Sequence, residues 1–600
     1  MGRVETLNQI LEEMRAAREG ERAGDRVAGD PAATKLPADD VRAAPNRAAS
    51  QPGDRPAGDA AASSPDGRPA GRRTSPRQRQ VEAELKLLAE SETLTKLIEA
   101  AALVARPHNK GTVRLLKTVY YDTAGCTLYR SGVVLRVRQS GKRFVQAVRM
   151  LAEAPNEPLR HREWETSVAS IVPDFEALLP LISMGLQDVL SRDPLQPVFS
   201  IEVRRHVRTL ALRDAIVEAT FDTGMLHAGA SSTPVADIRL KLQQGSAAAL
   251  HELALLLSDH AAVRPDIGSK AQRGFELAMQ TAPAVHTLRQ PLPNGDLSLD
   301  DALAAILQSA LQQFLVNQAA ARDGRDPEGV HQLRIALRRL RCAFALMRPL
   351  ARSHALDELR GDAKWLLSGL GAARNWDVFL TQVLAEVAQG CAIDGFDLLR
   401  ELAEKSRQTG YTTARALLAE RRAGRFALAL GAWIERRGWQ SEVAENSNAE
   451  LAEPALAFAA RTLAKQHGRA LKRGRHFKRL PLEARHDLRL AVKKLRYTAD
   501  FFLPLLGEPG TAKRYARRLS RLQERLGRYN DAGTTRALLS ELAVDGLPPA
   551  ARQALGAVLG WQACRLVGVE AEVREAWRDF REAALPWAQA RGRGEGREED

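Results

Sequence analysis

Aromatic residues make up only 5% of this 600-residue chain, and it has four cysteines. Cys126, Cys342, Cys391 and Cys564 stand far apart and form no CxxC pair. That argues against a cysteine zinc site or a disulfide framework and fits a reducing compartment. No run of about 18 apolar residues occurs, so no membrane-spanning helix is expected. The N-terminus lacks the apolar core of a secretory signal, and a cytoplasmic location is expected. GxxxxGK[ST], GxGxxG after a strand, HExxH and GxSxG are all missing. His206 and His227 stand alone in the sequence, the pattern of surface or satisfied residues rather than ligands.

What is abundant is positive charge. Lys and Arg total 88 against 73 Asp and Glu, a formal charge of +15 that draws polyanions towards the protein. A chain of this length needs more than one core. Residues 1–78 are rich in Ala, Gly, Pro, Asp and Arg and are expected to be disordered, apart from a short helix over Val4–Arg18. Over 79–283, segments such as VEAELKLL, VVLRVRQS, FVQAVRML, VFSIEVRRHVRTLAL, AIVEATFD and ADIRLKLQ alternate with period two and predict strands. Helical patches are expected near Phe175–Met184 and Ala247–Ser258. Many strands and few helices suggest an antiparallel barrel or strongly curved sheet. A polar linker over 284–296 leads to an all-α region, 297–588, and a charged tail, 589–600. Trp365 and Trp376 are expected in the helical core.

The helical region contains a repeat. HQLRIALRRLR (331–341) returns as HDLRLAVKKLR (486–496) with six of eleven positions identical. On a helix, His331, Arg334, Arg338 and Arg341 share one face beside a stripe of Leu333, Leu337 and Leu340. The second copy aligns His486, Arg489, Lys493 and Arg496 beside Leu488, Val492 and Leu495. Like charges three and four residues apart repel, and a bound polyanion would offset the repulsion. The stretch 461–496 adds Lys465, His467, Arg469, Lys472, Arg473, Arg475, His476, Lys478 and Arg479. GLGAARNWDVF (369–379) and RLGRYNDAGTT (525–535) share Leu-Gly followed by Asn and Asp, which reads as a Gly C-cap followed by an Asn or Asp N-cap.

PEGVHQLRIALRRLRCAF followed by LGAARNWDVF resembles the CHAD domain over roughly 297–588. The resemblance implies two helical bundles around a basic cleft that binds inorganic polyphosphate, and association with polyphosphate granules. Its implied ligands are His331, Arg334, Arg338, Arg341, His486, Arg489, Lys493 and Arg496, with Arg339 and Lys494 as helpers. Polyphosphate offers no base to stack on, so Arg and Lys suffice. Phe477 is the one aromatic residue within the ladders and the basic stretch, which places nucleic acid second as a partner.

In the strand-rich half, charges recur at steps of two: Glu82, Glu84 and Lys86, then Arg136 and Arg138, Arg149, Glu163 and Glu165, Arg205, and Glu218 and Asp222. Converging faces of this kind would line a tunnel with both signs. Glu-x-Glu-x-Lys, TVYYDT, LRVR and the late Ser269-Lys270 resemble the CYTH domain, the triphosphate tunnel fold, and a CYTH domain followed by a CHAD domain is a familiar bacterial arrangement. The resemblance implies triphosphate held by Lys86, Arg136, Arg138, Arg149, Arg205 and Lys270. It makes Glu82, Glu84 and Lys86 the catalytic set, with Mg or Mn on Glu82 and Glu84 and Glu218 as a supporting carboxylate. The family's late strand usually carries Glu-x-Glu-x-Glu, where this chain has Asp237, Arg239 and Lys241. Arg and Lys cannot ligate a divalent cation, so weakened hydrolysis is expected. The expected function is polyphosphate binding with a triphosphate-holding barrel. The alternatives are a nucleic-acid-binding adaptor and a fully active metal-dependent triphosphatase.

Overall fold

A computed structural model of the chain describes residues 83–150, 162–288, 297–351, 353–442, 445–506, 509–542 and 547–588. The expected disorder of 1–78, the Val4–Arg18 helix, Glu82, most of the linker and the charged tail lie outside those residues.

Period-two segments become β1 (Glu84–Leu88), β2 (Arg106–Pro107), β3 (Thr112–Asp122), β4 (Val133–Ser140) and β5 (Arg143–Met150). They continue as β6 (Arg162–Val168), β7 (Gln196–Leu212), β8 (Ala215–Ala228), β9 (Ser231–Gln244) and β10 (Arg264–Pro265). All pair antiparallel in one sheet of ten strands, ordered β10-β1-β9-β8-β7-β3-β4-β5-β6, with β2 beside β7. The helices of this half are α1 (Ser91–Val104), α2 (Thr127–Arg130), α3 (Met184–Arg192), α4 (Ala248–Ser258) and α5 (Lys270–Met279).

Because side chains alternate across each strand, the sheet has two chemically distinct faces. Leu210, Val217, Phe221, Ile238 and Leu240 pack under α1 and α4, and Leu135, Val137 and Val148 pack with α3. The opposite face carries the charges. Part of it is closed by α5, whose Phe275 joins Phe199, Ile201 and Tyr120. Gly274 lets α5 approach this closely: a Cβ there would stand 2.0 Å from the Phe199 ring. The sheet curls, since Lys86 on β1 lies in the field of Arg149 on β5 although five strands separate them in the order.

The expected helical patch at Phe175–Met184 is displaced. Only Leu179–Leu181 forms a 3₁₀ turn there, with Pro180 near its start, and Ser183 caps α3 by accepting from Leu186 N. Pro180 offers no backbone donor, so the helix begins only after the Ser183 cap. Tyr120 and Tyr121 serve packing: Tyr120 stacks on Phe199 at 4.3 Å, and the Tyr121 hydroxyl donates to Ile171 O. Asp122 ties the following turn by accepting from the backbone of Thr123, Leu128 and Tyr129.

The second half is helical: α6 (Leu299–Val316), α7 (Gln318–Asp323), α8 (Pro327–Met347), α9 (His354–Gly369) and α10 (Gly371–Val378). A π-helical stretch, Phe379–Leu384, joins α10 to α11 (Ala385–Gly390). Then come α12 (Phe396–Ala419), α13 (Arg421–Glu435), α14 (Glu445–Ala452), α15 (Ala455–Arg473), α16 (Leu482–Phe502), α17 (Pro509–Leu542) and α18 (Pro549–Arg581). The leucine stripes of both ladders, on α8 and α16, are fully buried. Trp376 is core, and Trp365 packs against the core beneath the Arg422 guanidinium.

The capping reading of the second repeated motif fails here. Leu526, Gly527, Asn530 and Asp531 lie inside the unbroken helix α17. In the first copy α9 does end at Gly369, but Asn375 and Asp377 sit within α10. Burial of the long helix's apolar face outweighs the cost of its interior glycines, Gly527 and Gly533, about 1 kcal/mol each.

The halves are pressed together by α13. Leu428 is buried inside the apolar cluster beneath the sheet, and a Cβ on Gly424 would meet Val263 O at 2.0 Å. Arg425 donates to Ser258 Oγ at 3.0 Å, and Arg421 donates to Asp259 O at 2.9 Å.

Candidate phosphate sites on the sheet and the paired helices

On the sheet, the registers bring Glu84, Lys86, Arg136, Arg138, Arg149, Glu163, Arg205 and Glu218 onto one face. Asp222 is its buried anchor, 2% exposed. Arg205 donates to it through Nε and Nη2, both at 2.7 Å, and Lys270 Nζ reaches it at 2.9 Å. Ser269 caps α5 by accepting from Gln272 N, which sets Lys270 at the first helical position. From there Lys270 also meets Asp237 at 2.9 Å, and Arg273 meets Asp237 at 2.6 Å. Burial pushes the Asp222 carboxyl up, but the Arg205 and Lys270 bonds override it and hold the group well below the usual carboxylate range.

Across the sheet, Glu163 accepts from Arg136 at 2.6 Å and from Arg149 at 3.0 Å. Among the described residues, no carboxylate stands within ion-pair distance of Arg138. Burial, then the Arg136 and Arg205 charges, pull its guanidinium down to about 10. Lys86 is lowered by burial and by Arg149 and Lys270, against the pull of Glu84 and Asp266. Crowded, half-buried cations of this kind are stabilised by an anion among them.

A divalent cation does not fit the described residues. Glu84 stands directly across from Lys241, and Lys241 stands directly across from Glu218. Of the three nominated carboxylates, the two described, Glu84 and Glu218, are thus separated by a lysine, while Asp222 and Asp237 are engaged by Arg and Lys. Among the described residues no group of three or more His, Cys, Asp or Glu could hold a metal ion.

On the helices, the two ladders meet. Lys493 of α16 is pulled down to about 8 by burial and then by Arg338, Arg489, Arg334 and Arg341. Arg338 and Lys493 occupy the same place in the repeated unit, so the two copies face each other there. Arg334 donates to Leu367 O at 2.7 Å, and its Nε is buried without a partner. Burial, Arg338 and Arg374 draw it down to about 10. His331 is lowered by burial and by Arg374, against the pull of Glu328. Arg489 donates to Asn530 Oδ1 at 3.0 Å.

The remaining expected residues contribute unequally. Arg339 is turned away from the cleft and buried, donating to Gln313 Oε1 at 2.6 Å and Ser309 Oγ at 3.1 Å. Its position, one residue past Arg338, puts it on the helix's α6 side. Arg341, His486 and Lys494 are exposed, and Arg496 lies 3.7 Å from Asp500. His467 leaves the basic field: it is buried, with its Nδ1 2.9 Å from the Tyr515 hydroxyl, and burial pulls it down to about 4. Phe477 is buried and stacked on Trp577, so it offers no exposed platform. Arg374, Asn530 and Arg273 were missed, although Arg374 and Asn530 sit in the repeated Leu-Gly motifs and Arg273 lies one turn after Lys270.

Two domain families match this chain, CYTH over residues 80–275 and CHAD over residues 305–540. The chain is a CYTH domain followed by a CHAD domain. Similar solved structures include the CHAD domain of the plant Ricinus communis, 29% identical, covering 50% of this chain and 98% of that one, TM-score 0.44. PptA from Streptomyces chartreusis is 18% identical over 47% of this chain and all of its own length, TM-score 0.35. HpAC1 of Hippeastrum, a putative adenylyl cyclase with a dominant triphosphatase activity, is 14% identical, covering 34% of this chain and 97% of its own, TM-score 0.23. Among the described residues, no helix of the CHAD domain or the CYTH domain is long and apolar enough to cross a membrane.

Proposed function

We propose that the CHAD domain binds inorganic polyphosphate in the cleft between α8 and α16, and that the CYTH domain holds a triphosphate-like chain end. The observation that carries this reading is the convergence of the ladders, in which Lys493 is half-buried among Arg334, Arg338, Arg341 and Arg489, and burial first and then their charges pull it down. Held so close, cations repel unless a dense polyanion lies between them. His331, Arg334, Arg338, Arg489 and Lys493 supply donors of the kind that phosphate oxygens accept, and Arg374 adds charge at one end. In the CYTH domain, Arg138, Arg136, Arg149, Arg205, Lys86 and Lys270 would orient the phosphates, and the Asp222 and Glu163 carboxylates keep the arginines in place. The donor set favours holding the anion over cleaving it.

The test is binding of labelled polyphosphate to the full chain at two salt concentrations with RNA as competitor. Binding weakens with salt for any polyanion. Binding that survives excess RNA, and falls at least about tenfold when Arg334, Arg338, Arg489 and Lys493 become Ala, supports the reading. RNA binding as well as polyphosphate would overturn it and favour a nucleic-acid adaptor.

A further inference from the structure

The sheet's charged face has one row in which cation and carboxylates alternate. Glu84 on β1, Lys241 on β9 and Glu218 on β8 are directly opposed pairs in antiparallel register. Opposed residues share a face and stand about 5 Å apart at Cβ. Lys241 is therefore placed where an ion bridging Glu84 and Glu218 would have to lie. The next row along is Lys86, Arg239 and Thr220, again with a cation on the central strand. In the third row, Asp237 and Asp222 are engaged by Lys270, Arg273 and Arg205. Around these rows the described cations are Lys86, Arg205, Arg239, Lys241, Lys270 and Arg273, and the described carboxylates are Glu84, Glu218, Asp222, Asp237 and Asp266. Among these described residues the cations outnumber the carboxylates by one.

We propose that this CYTH domain binds a linear phosphoanhydride of the tripolyphosphate class without a divalent cation, with Lys241 and Arg239 supplying the positive charge from within the sheet. This rests on reading the sheet's charged face as a phosphate site. The anion meets fixed ammonium and guanidinium donors, and its affinity does not depend on metal supply. A divalent ion entering the row would be repelled by Lys241 and would find Asp222 and Asp237 occupied.

The full chain carrying Arg334→Ala, Arg338→Ala, Arg489→Ala and Lys493→Ala, which silences the helical cleft, is titrated with sodium tripolyphosphate by calorimetry. Titrations are run in EDTA and in Mg2+, corrected for Mg–tripolyphosphate complexes. The expected dissociation constants agree within about threefold. Electron paramagnetic resonance with Mn2+ alone should show no stoichiometric site. Lys241→Glu should create one, and should bind tripolyphosphate at least about tenfold more weakly in EDTA than in Mg2+. Should that variant not fold, Lys241→Gln is expected to weaken binding in EDTA about tenfold with no rescue by metal. Tripolyphosphate binding that needs Mg2+, or one tight Mn2+ site in the unaltered sheet, overturns the metal-free inference and leaves the phosphate site standing. Unchanged affinity in Lys241→Gln also overturns it. No binding in either buffer by folded protein overturns the phosphate reading itself, and the inference with it.

Discussion

Single residues divide here into those that face the cleft and those that support it, and neighbours in sequence fall on opposite sides of the division. Arg334 has a buried, unpartnered Nε at the cleft, whereas Arg339 spends its donors on Gln313 and Ser309. Arg334→Ala is expected to lower polyphosphate affinity at least about tenfold with little change in stability. Arg339→Ala should cost about 1–3 kcal/mol in urea unfolding and leave affinity within about twofold. A second expectation concerns protons. Burial and then the neighbouring arginines pull Lys493 down to about 8 in the folded protein, against 10.5 for the free side chain. The unfolded chain holds more protons between those values, so this group's share of stability rises as pH goes from about 8 to about 10.5. Binding runs the other way, because a polyanion favours the charged lysine. Affinity should fall above pH 8, by at most about tenfold per pH unit, with proton uptake seen by calorimetry in buffers of different ionisation enthalpy. Absence of uptake near pH 8 would remove Lys493 from the cleft.

Elements obey the same local rules with one instructive exception. The repeated Leu-Gly motif reads as a cap, yet Gly527 lies mid-helix in α17 without a positive φ, and the nearest atom to an added Cβ is Asp531 Oδ2 at 3.8 Å. Gly527→Ala should therefore stabilise the protein by about 0.5–1 kcal/mol in thermal or urea unfolding. A left-handed cap would give the opposite sign, so the measurement separates the two conformations. The ladders were legible because three- and four-residue spacing maps directly onto a helix face. The cap was misjudged because Gly-Asn-Asp composition is shared by helix ends and by polar helix interiors that point into a site. Asn530 shows the second use, accepting from Arg489. The displaced patch at Phe175–Met184 has a similar origin: Pro180 and the Ser183 cap outweigh local helical periodicity.

At the scale of the molecule, the two domains are joined by an apolar contact that neither sequence pattern announces. Leu428 of α13 is buried among Leu250, Leu253 and Leu257 of the CYTH domain's core cluster. Leu428→Ala should cost about 2–5 kcal/mol and split one calorimetric melting transition into two. A single unchanged transition would mean that this contact does not couple the domains. Sequence alone determined the class of each half, the strand and ladder faces, and the charge of both sites, because periodicity and residue type act over a few neighbouring positions. Only the tertiary structure decided which charges meet. The pairing of Asp222 with Arg205 and Lys270, the approach of Arg338 to Lys493, and Lys241 standing between Glu84 and Glu218 all join residues far apart in the chain. Strand order and helix crossing bring them together, and the cost of burying a charge without a partner selects the arrangement.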